Sequence, residues 1–364
     1  MKVTRREFNR FVGLGIASQL APAIRAQSEE RAIGYCVIGL GRISMQHFMP
    51  GIKGSTKSKV TAIVSGHREK AEKMAAEYGV PANAIYDYKD FDSINANSGI
   101  DAVYVALPNS MHAEYTIRAA AAGKHVLCEK PMATSVEDAN AMIAACRKAG
   151  KKLMIAYRCQ YEPTNLRAIQ LIREGALGTI QAIESSNGFN IKAGEWRLDP
   201  KLAGGGPLMD VGVYSLNACR FLTGEEPREL SAYSSVIDKD GRFQGVEENL
   251  SWTMKFPSGI VASCNTTYGA NMKGFYRVHG SKGLMHVEPA FGYEGLHLTA
   301  QIGGAASIDE PNPERDPAQF RRQADYFSDC ILQNKEPKTA GDEGLRDMEW
   351  MRRIYQSASH QAHS

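Results

Sequence analysis

At 364 residues the chain has length for about two domains and a well-buried core. Its 43% apolar and 23% charged residues are ordinary globular values, which excludes a disordered or fibrous chain. The net charge of +3 arises in the first 26 residues, which hold five of the 43 Lys and Arg but one of the 40 Asp and Glu. The remainder is close to neutral and has no basic run interleaved with aromatics, which argues against nucleic acid or an anionic membrane surface as partner.

The chain opens with Thr4-Arg5-Arg6-Glu7-Phe8, then an apolar run from Phe11 to Ile24, with small residues at Ala21, Ala23 and Ala26. Paired arginines before a short apolar run and a small-residue cleavage site predict a twin-arginine export signal over residues 1–26. The run is shorter than the ~20 residues a membrane span needs, so no stable membrane anchor is expected. The expected partner is the twin-arginine export machinery and the expected location periplasmic. Because that route carries folded proteins, a protein using it should acquire any cofactor beforehand and retain it.

Seven widely spaced cysteines form no Cys-x-x-Cys pair and read as small buried hydrophobes. A chain folded before export needs no disulfide framework. The nine histidines show no metal-ligand spacing, so no metal is expected.

From residue 32 to 156, β-rich runs alternate with helical stretches. The runs cover 34–39, 60–65, 102–106, 125–128 and 152–156, and the helices 68–78, 112–122 and 135–149. Apolar strands alternating with helices predict a parallel sheet covered on both faces, an α/β Rossmann domain. After a helix at 164–174 the pattern changes to successive strands at 180–189, 230–237, 249–256, 261–267, 275–279, 284–287 and 296–300, with a hairpin turn at Pro257-Ser258-Gly259. Residues 157–364 therefore predict an α+β domain with a large, mainly antiparallel open sheet, closed by helices at 317–333 and 344–358.

Gly39-Leu40-Gly41-Arg42-Ile43-Ser44 follows the first strand and opens a helix, the context a dinucleotide fingerprint requires, with Ser44 in place of the third glycine. The second strand ends in Ser65-Gly66-His67-Arg68-Glu69-Lys70, without the carboxylate that an NAD site places there. Ser65 with Arg68 and Lys70 suits a 2′-phosphate and predicts NADP, unless the two cations only form a solvated helical turn. Leu107-Pro108-Asn109-Ser110-Met111-His112 and Cys128-Glu129-Lys130-Pro131 end later strands, where ligands bind in open α/β sheets. The remaining chemical segment is Gly204-Gly205-Gly206-Pro207-Leu208-Met209-Asp210, followed four residues on by Tyr214.

In these segments, and in Glu129-Lys130-Pro131-Met132-Ala133-Thr134-Ser135, Tyr157-Arg158-Cys159 and Trp196-Arg197-Leu198, the chain resembles the glucose-fructose oxidoreductase, inositol dehydrogenase and rhizopine-catabolism family, and within it the glucose-fructose oxidoreductases. The resemblance extends over nearly all of the chain after residue 32. It implies that Lys130 lies beside the nicotinamide and a sugar hydroxyl, with a cis Lys130-Pro131 bond, and that Asp210 and Tyr214 face the substrate. Most of the family has histidine where this chain has Tyr214.

Alcohol oxidation needs a base to take the hydroxyl proton as hydride leaves. Tyr214 fills that role only if nearby positive charge, expected from Lys130, lowers a phenol that ordinarily titrates near ~10. The expected catalytic set is Lys130, Tyr214 and Asp210. Expected cofactor contacts are Gly39, Gly41, Arg42, Ile43, Ser65, Arg68, Lys70, Leu107, Asn109, His112, Glu129, Lys130, Arg158, Trp196 and Arg197. Expected sugar contacts add Tyr157 and Tyr161 to Lys130, Asp210 and Tyr214. The activity implied is oxidation of an aldose to its lactone by tightly bound NADP, recycled by reducing a second sugar to a polyol. Alternatives are a dehydrogenase with exchangeable cofactor and an NAD-dependent glycosidase. The family's long N-terminal arm is reduced here to a few residues after Gln27, which leaves a homodimer or a homotetramer open.

Overall fold

β1 (Ile33–Ile38) is buried at all six residues, as an apolar strand covered on both faces must be. This computed structural model describes residues 31–304 and 306–361, so the expected export signal at 1–26 lies outside the described residues. β2 (Ser58–Val64), β3 (Ile85–Tyr86), β4 (Ala102–Val105), β5 (His125–Cys128) and β6 (Leu153–Ile155) join β1 in one parallel sheet, ordered β3-β2-β1-β4-β5-β6. β2 and β3 lie to one side of β1, and β4, β5 and β6 to the other, so the order of addition switches side between β1 and β4. The loops after β1, β2, β4 and β5 therefore converge at one end of the sheet.

The helices between these strands follow the expected pattern. Arg68–Tyr78 ends at Gly79, whose φ of 67° is the left-handed conformation that glycine adopts freely. Val136–Lys148 begins at Ser135, whose hydroxyl accepts from the Asp138 amide at 3.0 Å. The fingerprint loop departs from the expectation of an ordinary helix: Ile43–Phe48 is a π-turn that runs into the short helix Met49–Ile52. Ser44 is fully buried there and its hydroxyl donates to the Gly39 carbonyl, which accounts for a residue larger than glycine at that place.

The second sheet holds β7 (Ile180–Gly188), β8 (Glu229–Ser235), β9 (Asn249–Lys255), β10 (Val261–Thr267), β11 (Phe275–Gly280), β12 (Gly283–Val287), β13 (His297–Ile302) and β14 (Ala306–Pro311). Their order is β14-β13-β12-β11-β7-β10-β9-β8, antiparallel throughout except where β10 runs parallel to β7. Burial alternates along β9, with Leu250, Trp252 and Met254 inside and Ser251, Thr253 and Lys255 outside. Helices Pro163–Arg173 and Val213–Thr223 pack against this sheet. The expected turn between β9 and β10 is present, with the Gly259 amide on the Phe256 carbonyl at 2.9 Å and Gly259 at φ 93°. β14 was not legible: it is a short edge strand whose Asp309, Glu310 and Pro311 obscure the alternation.

Two helices near the end of the chain pack back on its first half, and one of them, Gly341–Gln361, lies against Val136–Lys148. Helix Ala318–Leu332 lies on the first sheet, where Tyr35 donates to the Ala324 carbonyl at 3.0 Å and Ser58 donates to Asp325 at 2.7 Å. Beneath it Phe48 stacks on Tyr104, ring centroids 3.6 Å apart. All seven cysteines are buried and unbridged.

Gly34 sits inside β1 because a Cβ there would stand 2.0 Å from the Gly99 carbonyl oxygen. Gly34→Ala should therefore lower stability by about 1–3 kcal/mol, read as a shifted denaturation midpoint.

Candidate active site

The convergent loops and the near edge of the second sheet enclose a cleft of about 840 Å³. Gly39, Gly41, Arg42, Ile43, Ser65, Lys70, Leu107, Asn109, His112, Glu129, Lys130, Arg158, Trp196, Arg197, Asp210 and Tyr214 all line it. The structure thus brings together most of the residues singled out in the sequence.

Three expectations need correction. Arg68 turns away from the cleft, because its guanidinium pairs with Glu72 one helical turn on, at 2.7 Å, and reaches the Ile85 carbonyl. Tyr157 is buried behind the site with its phenol beside Asp347. Tyr161 is buried as well, its hydroxyl 2.7 Å from Thr339 Oγ1 and its ring under Lys338. Neither tyrosine lines the cleft, since the short turn Arg158–Tyr161 sends Arg158 inward and these two into the core.

At the fingerprint end, Gly41 has open space where a Cβ would stand, and Gly39, at φ 90°, packs against the Ala106 carbonyl. Ser65 accepts from the His67 amide at 3.1 Å, and the Lys70 ammonium donates to the Leu40 carbonyl. Arg42 lines the same end, and among the described residues no carboxylate lines the cleft beside these residues. A donor set of hydroxyl, ammonium, guanidinium and main-chain amides fits a dinucleotide that carries an additional phosphate.

Toward the second sheet, Lys130 follows β5, with the Lys130-Pro131 peptide cis as expected. Its ammonium donates to the Asp210 main-chain carbonyl at 2.6 Å and lies 3.3 Å from Asp210 Oδ1. The other carboxylate oxygen, Oδ2, accepts from Arg197 Nε at 2.9 Å and from the Tyr268 hydroxyl at 3.0 Å. Burial pushes the Asp210 carboxyl up, but Lys130 and Arg197 outweigh it and hold it at about 2. Asp210 is a carboxylate at neutral pH.

Tyr214 lies with the Lys130 ammonium 4.7 Å and the Arg158 guanidinium 5.1 Å from its ring centre. Burial raises its phenol above the ordinary value, and Arg158, rather than the expected Lys130, is the chief opposing charge. Arg158 is held by the carbonyls of Gly292 at 2.9 Å and Phe291 at 2.5 Å and by Gln319 at 2.6 Å. Glu129 accepts from the Tyr104 hydroxyl at 2.6 Å and from the Lys130 amide at 3.3 Å; burial pushes its carboxyl up. His112 bridges the Pro131 and Leu107 carbonyls, each at 2.9 Å, and Asn109 donates to the Ala203 carbonyl at 2.8 Å, so both tie loops together beside the cleft.

Sequence reasoning missed Tyr268, which is buried behind the cleft and donates to Asp210, and the segment Phe291, Gly292 and Tyr293, which reaches the cleft from the loop after β12. No motif marks them. Only the burial-compatible aromatics in an otherwise polar stretch distinguish that loop.

Residues 33–157 match an oxidoreductase family with an NAD-binding Rossmann fold, and residues 165–286 match the GFO/IDH/MocA C-terminal domain. The chain is 32% identical over 335 residues to D-xylose 1-dehydrogenase [NADP(+)] of Haloarcula marismortui, covering 90% of this chain and 92% of that protein. It is 45% identical to an aldose-aldose oxidoreductase from Caulobacter crescentus solved with glycerol, covering 91% of this chain and 98% of that one with a TM-score of 0.87. The fold is also that of KijD10, a 3-ketoreductase from Actinomadura kijaniata solved with NADP and TDP-benzene, at 23% identity and a TM-score of 0.79.

A carboxyl held at about 2 in the folded protein, below its ordinary 3.8, stabilises the fold above about pH 4 and ceases to do so as pH falls through about 2. Asp210→Asn, which leaves Lys130 and Arg197 facing a neutral group, should be less stable than the parent by roughly 2 kcal/mol at pH 7. That gap should narrow between pH 4 and pH 2, as measured by denaturant titration at each pH.

Proposed function

The chain belongs to the GFO/IDH/MocA oxidoreductase family, and from that premise we propose that it is an NADP-dependent sugar oxidoreductase. It oxidises an aldose to its lactone and regenerates its cofactor, kept in the cleft, by reducing a second sugar to a polyol. The observation that carries this reading is the juxtaposition of Lys130, Asp210 and Tyr214 in a cleft continuous with the fingerprint glycines Gly39 and Gly41. Similarity to an aldose-aldose oxidoreductase supports a pair of sugars.

NADP bound there supplies a hydride acceptor and donor. The remaining work falls to the chain. Lys130 donates to a sugar hydroxyl oxygen and steadies negative charge on it. Asp210, ionised and fixed by Lys130, Arg197 and Tyr268, orients the sugar by accepting from a hydroxyl and carries no proton at neutral pH. Tyr214 exchanges the proton. Its raised phenol is the acid form suited to carbonyl reduction, and alcohol oxidation requires the phenolate, with Arg158 as the charge that favours it. Aldose oxidation is therefore faster at alkaline than at acidic pH. Trp196 and Arg197 stand at the sugar end, with the guanidinium 4.8 Å from the indole.

The similarity to D-xylose 1-dehydrogenase favours a second reading, a dehydrogenase with exchangeable NADP. Export by the twin-arginine route to the periplasm, motivated by Thr4-Arg5-Arg6-Glu7-Phe8, favours retention over exchange. The open face of the second sheet suits pairing of two chains, so the assembly we propose is a homodimer or a homotetramer of such pairs.

Absorbance between 300 and 400 nm, recorded without added cofactor, tests the reading. Glucose or xylose should raise a reduced-nicotinamide band near about 340 nm that a second sugar erases. Protein that arrives without nucleotide and turns over only with added NADP establishes the exchangeable dehydrogenase instead. Tyr214→Phe should lose turnover by about 100-fold or more while the same spectrum shows cofactor still bound; parent-like rates exclude Tyr214 as the proton carrier.

A further inference from the structure

Asp210 and Met209 are neighbours in sequence but face different spaces. Asp210 lines the cleft, while Met209 lines a second cavity of about 520 Å³, beside Gly204, Glu247 and Tyr355. Between the two runs the strand of chain Gly204-Gly205-Gly206-Pro207-Leu208. It leads into the π-turn Leu208–Gly212, which has no side-chain cap of its own, because Pro207 at the capping position has none to offer.

The missing cap is supplied from far along the chain. Glu247 Oε2 accepts from the Gly206 amide at 3.0 Å, and Oε1 accepts from the Leu208 amide at 3.3 Å. The Tyr355 hydroxyl donates to the same Oε1 at 2.8 Å. One half-buried carboxylate thus satisfies two main-chain donors and is itself oriented by a phenol from helix Gly341–Gln361.

The glycines are what let these groups approach. A Cβ on Gly205 would stand 2.3 Å from the Tyr355 hydroxyl, and one on Gly206 would stand 2.6 Å from the Glu247 carbonyl oxygen and 2.8 Å from its carboxyl carbon. The adjacent residue secures the other side of Asp210. The Glu248 carbonyl accepts from the Tyr268 amide at 2.9 Å, and the Tyr268 hydroxyl donates to Asp210 Oδ2 at 3.0 Å. Residues 247 and 248 therefore hold both the main chain before Asp210 and the phenol that binds its carboxylate.

We propose that Glu247, oriented by Tyr355, is a positioning residue for the reaction: it fixes Gly206 to Leu208 so that Asp210 meets Lys130 and Arg197 in the geometry that orients the sugar. This inference rests on the sugar-oxidoreductase reading above. Neither Glu247 nor Tyr355 touches the cleft, so both act only through the segment they hold.

The test compares the full-length parent with Tyr355→Phe, which removes one hydroxyl, and Glu247→Gln, which puts an amide nitrogen against a main-chain donor. Aldose-oxidation kcat, the NADP bound per chain, melting temperature and hydrogen exchange of the peptide spanning 204–212 are measured on each. Exchange in that peptide should rise, and kcat should fall between about 10- and 100-fold with bound NADP and melting temperature near parent values, since small displacements of an orienting group carry penalties of that order. Parent-like exchange in both variants overturns the brace. Raised exchange with parent-like kcat, or a loss of kcat that tracks a fall in melting temperature and a loss of bound NADP, overturns the positioning role. If Tyr355→Phe does not fold, Glu247→Gln decides; failure of both to fold makes the pair a requirement of the fold and overturns the proposal. A parent inactive on every aldose refutes the underlying function, while the exchange measurement still decides whether Glu247 holds the segment.

Discussion

The ion pair between Lys130 and Asp210 is the contact on which the site depends. Lys130 stands at the end of a strand in the first sheet, and Asp210 stands 80 residues later in a turn packed against the second. Both side chains are largely withdrawn from water, at 11% and 17% exposure. A buried ammonium without a counter-charge is costly, so the loop carrying Asp210 must close against the loop carrying Lys130 for either to be buried. The ammonium also donates to the Asp210 main-chain carbonyl, which fixes the backbone together with the carboxylate. Arg197 and Tyr268 occupy the other carboxylate oxygen and complete its hydrogen bonding. Cofactor end and sugar end become one cavity through this closure.

Around that pair the site separates charge from proton chemistry. The carboxylate is surrounded by donors and stays ionised, while the phenol four residues on is held neutral by burial with one guanidinium opposing. Arg158 opposes it while its own hydrogen bonds go to the Gly292 and Phe291 carbonyls and the Gln319 amide oxygen. The same guanidinium lies 4.5 Å from the Tyr293 ring centre and therefore ties the Phe291–Tyr293 loop to the catalytic side.

Much of this was legible in the sequence, for physical reasons that differ by segment. Gly39-Leu40-Gly41 and Glu129-Lys130-Pro131 could be placed because fully buried strands are continuous apolar runs whose ends are sharply marked. The family resemblance added the cis peptide and the convergence of Asp210 and Tyr214 on the cleft. Arg68 failed because a cation near a nucleotide loop and a cation in an i,i+4 pair look alike in one dimension, and Glu72 decides between them. Tyr157 and Tyr161 failed because a one-residue step in a tight turn reverses a side chain, so that Arg158 enters the cleft while its neighbour meets Asp347. Tyr268, Glu247 and the Phe291–Tyr293 loop were invisible because their roles arise only when distant strands meet, and a single sequence without such pairing information carries no local mark of them.

Helix Ala318–Leu332 has a consequence for how the molecule is made. It shields the first sheet where Tyr35 and Ser58 reach it, although that sheet's last strand ends at Ile155. The nucleotide-binding half, first to emerge from the ribosome, therefore keeps an apolar face uncovered throughout synthesis of the second half. Burial of that face waits until the helix ending at Leu332 has been made, and a chain truncated between the two sheets would leave the face exposed.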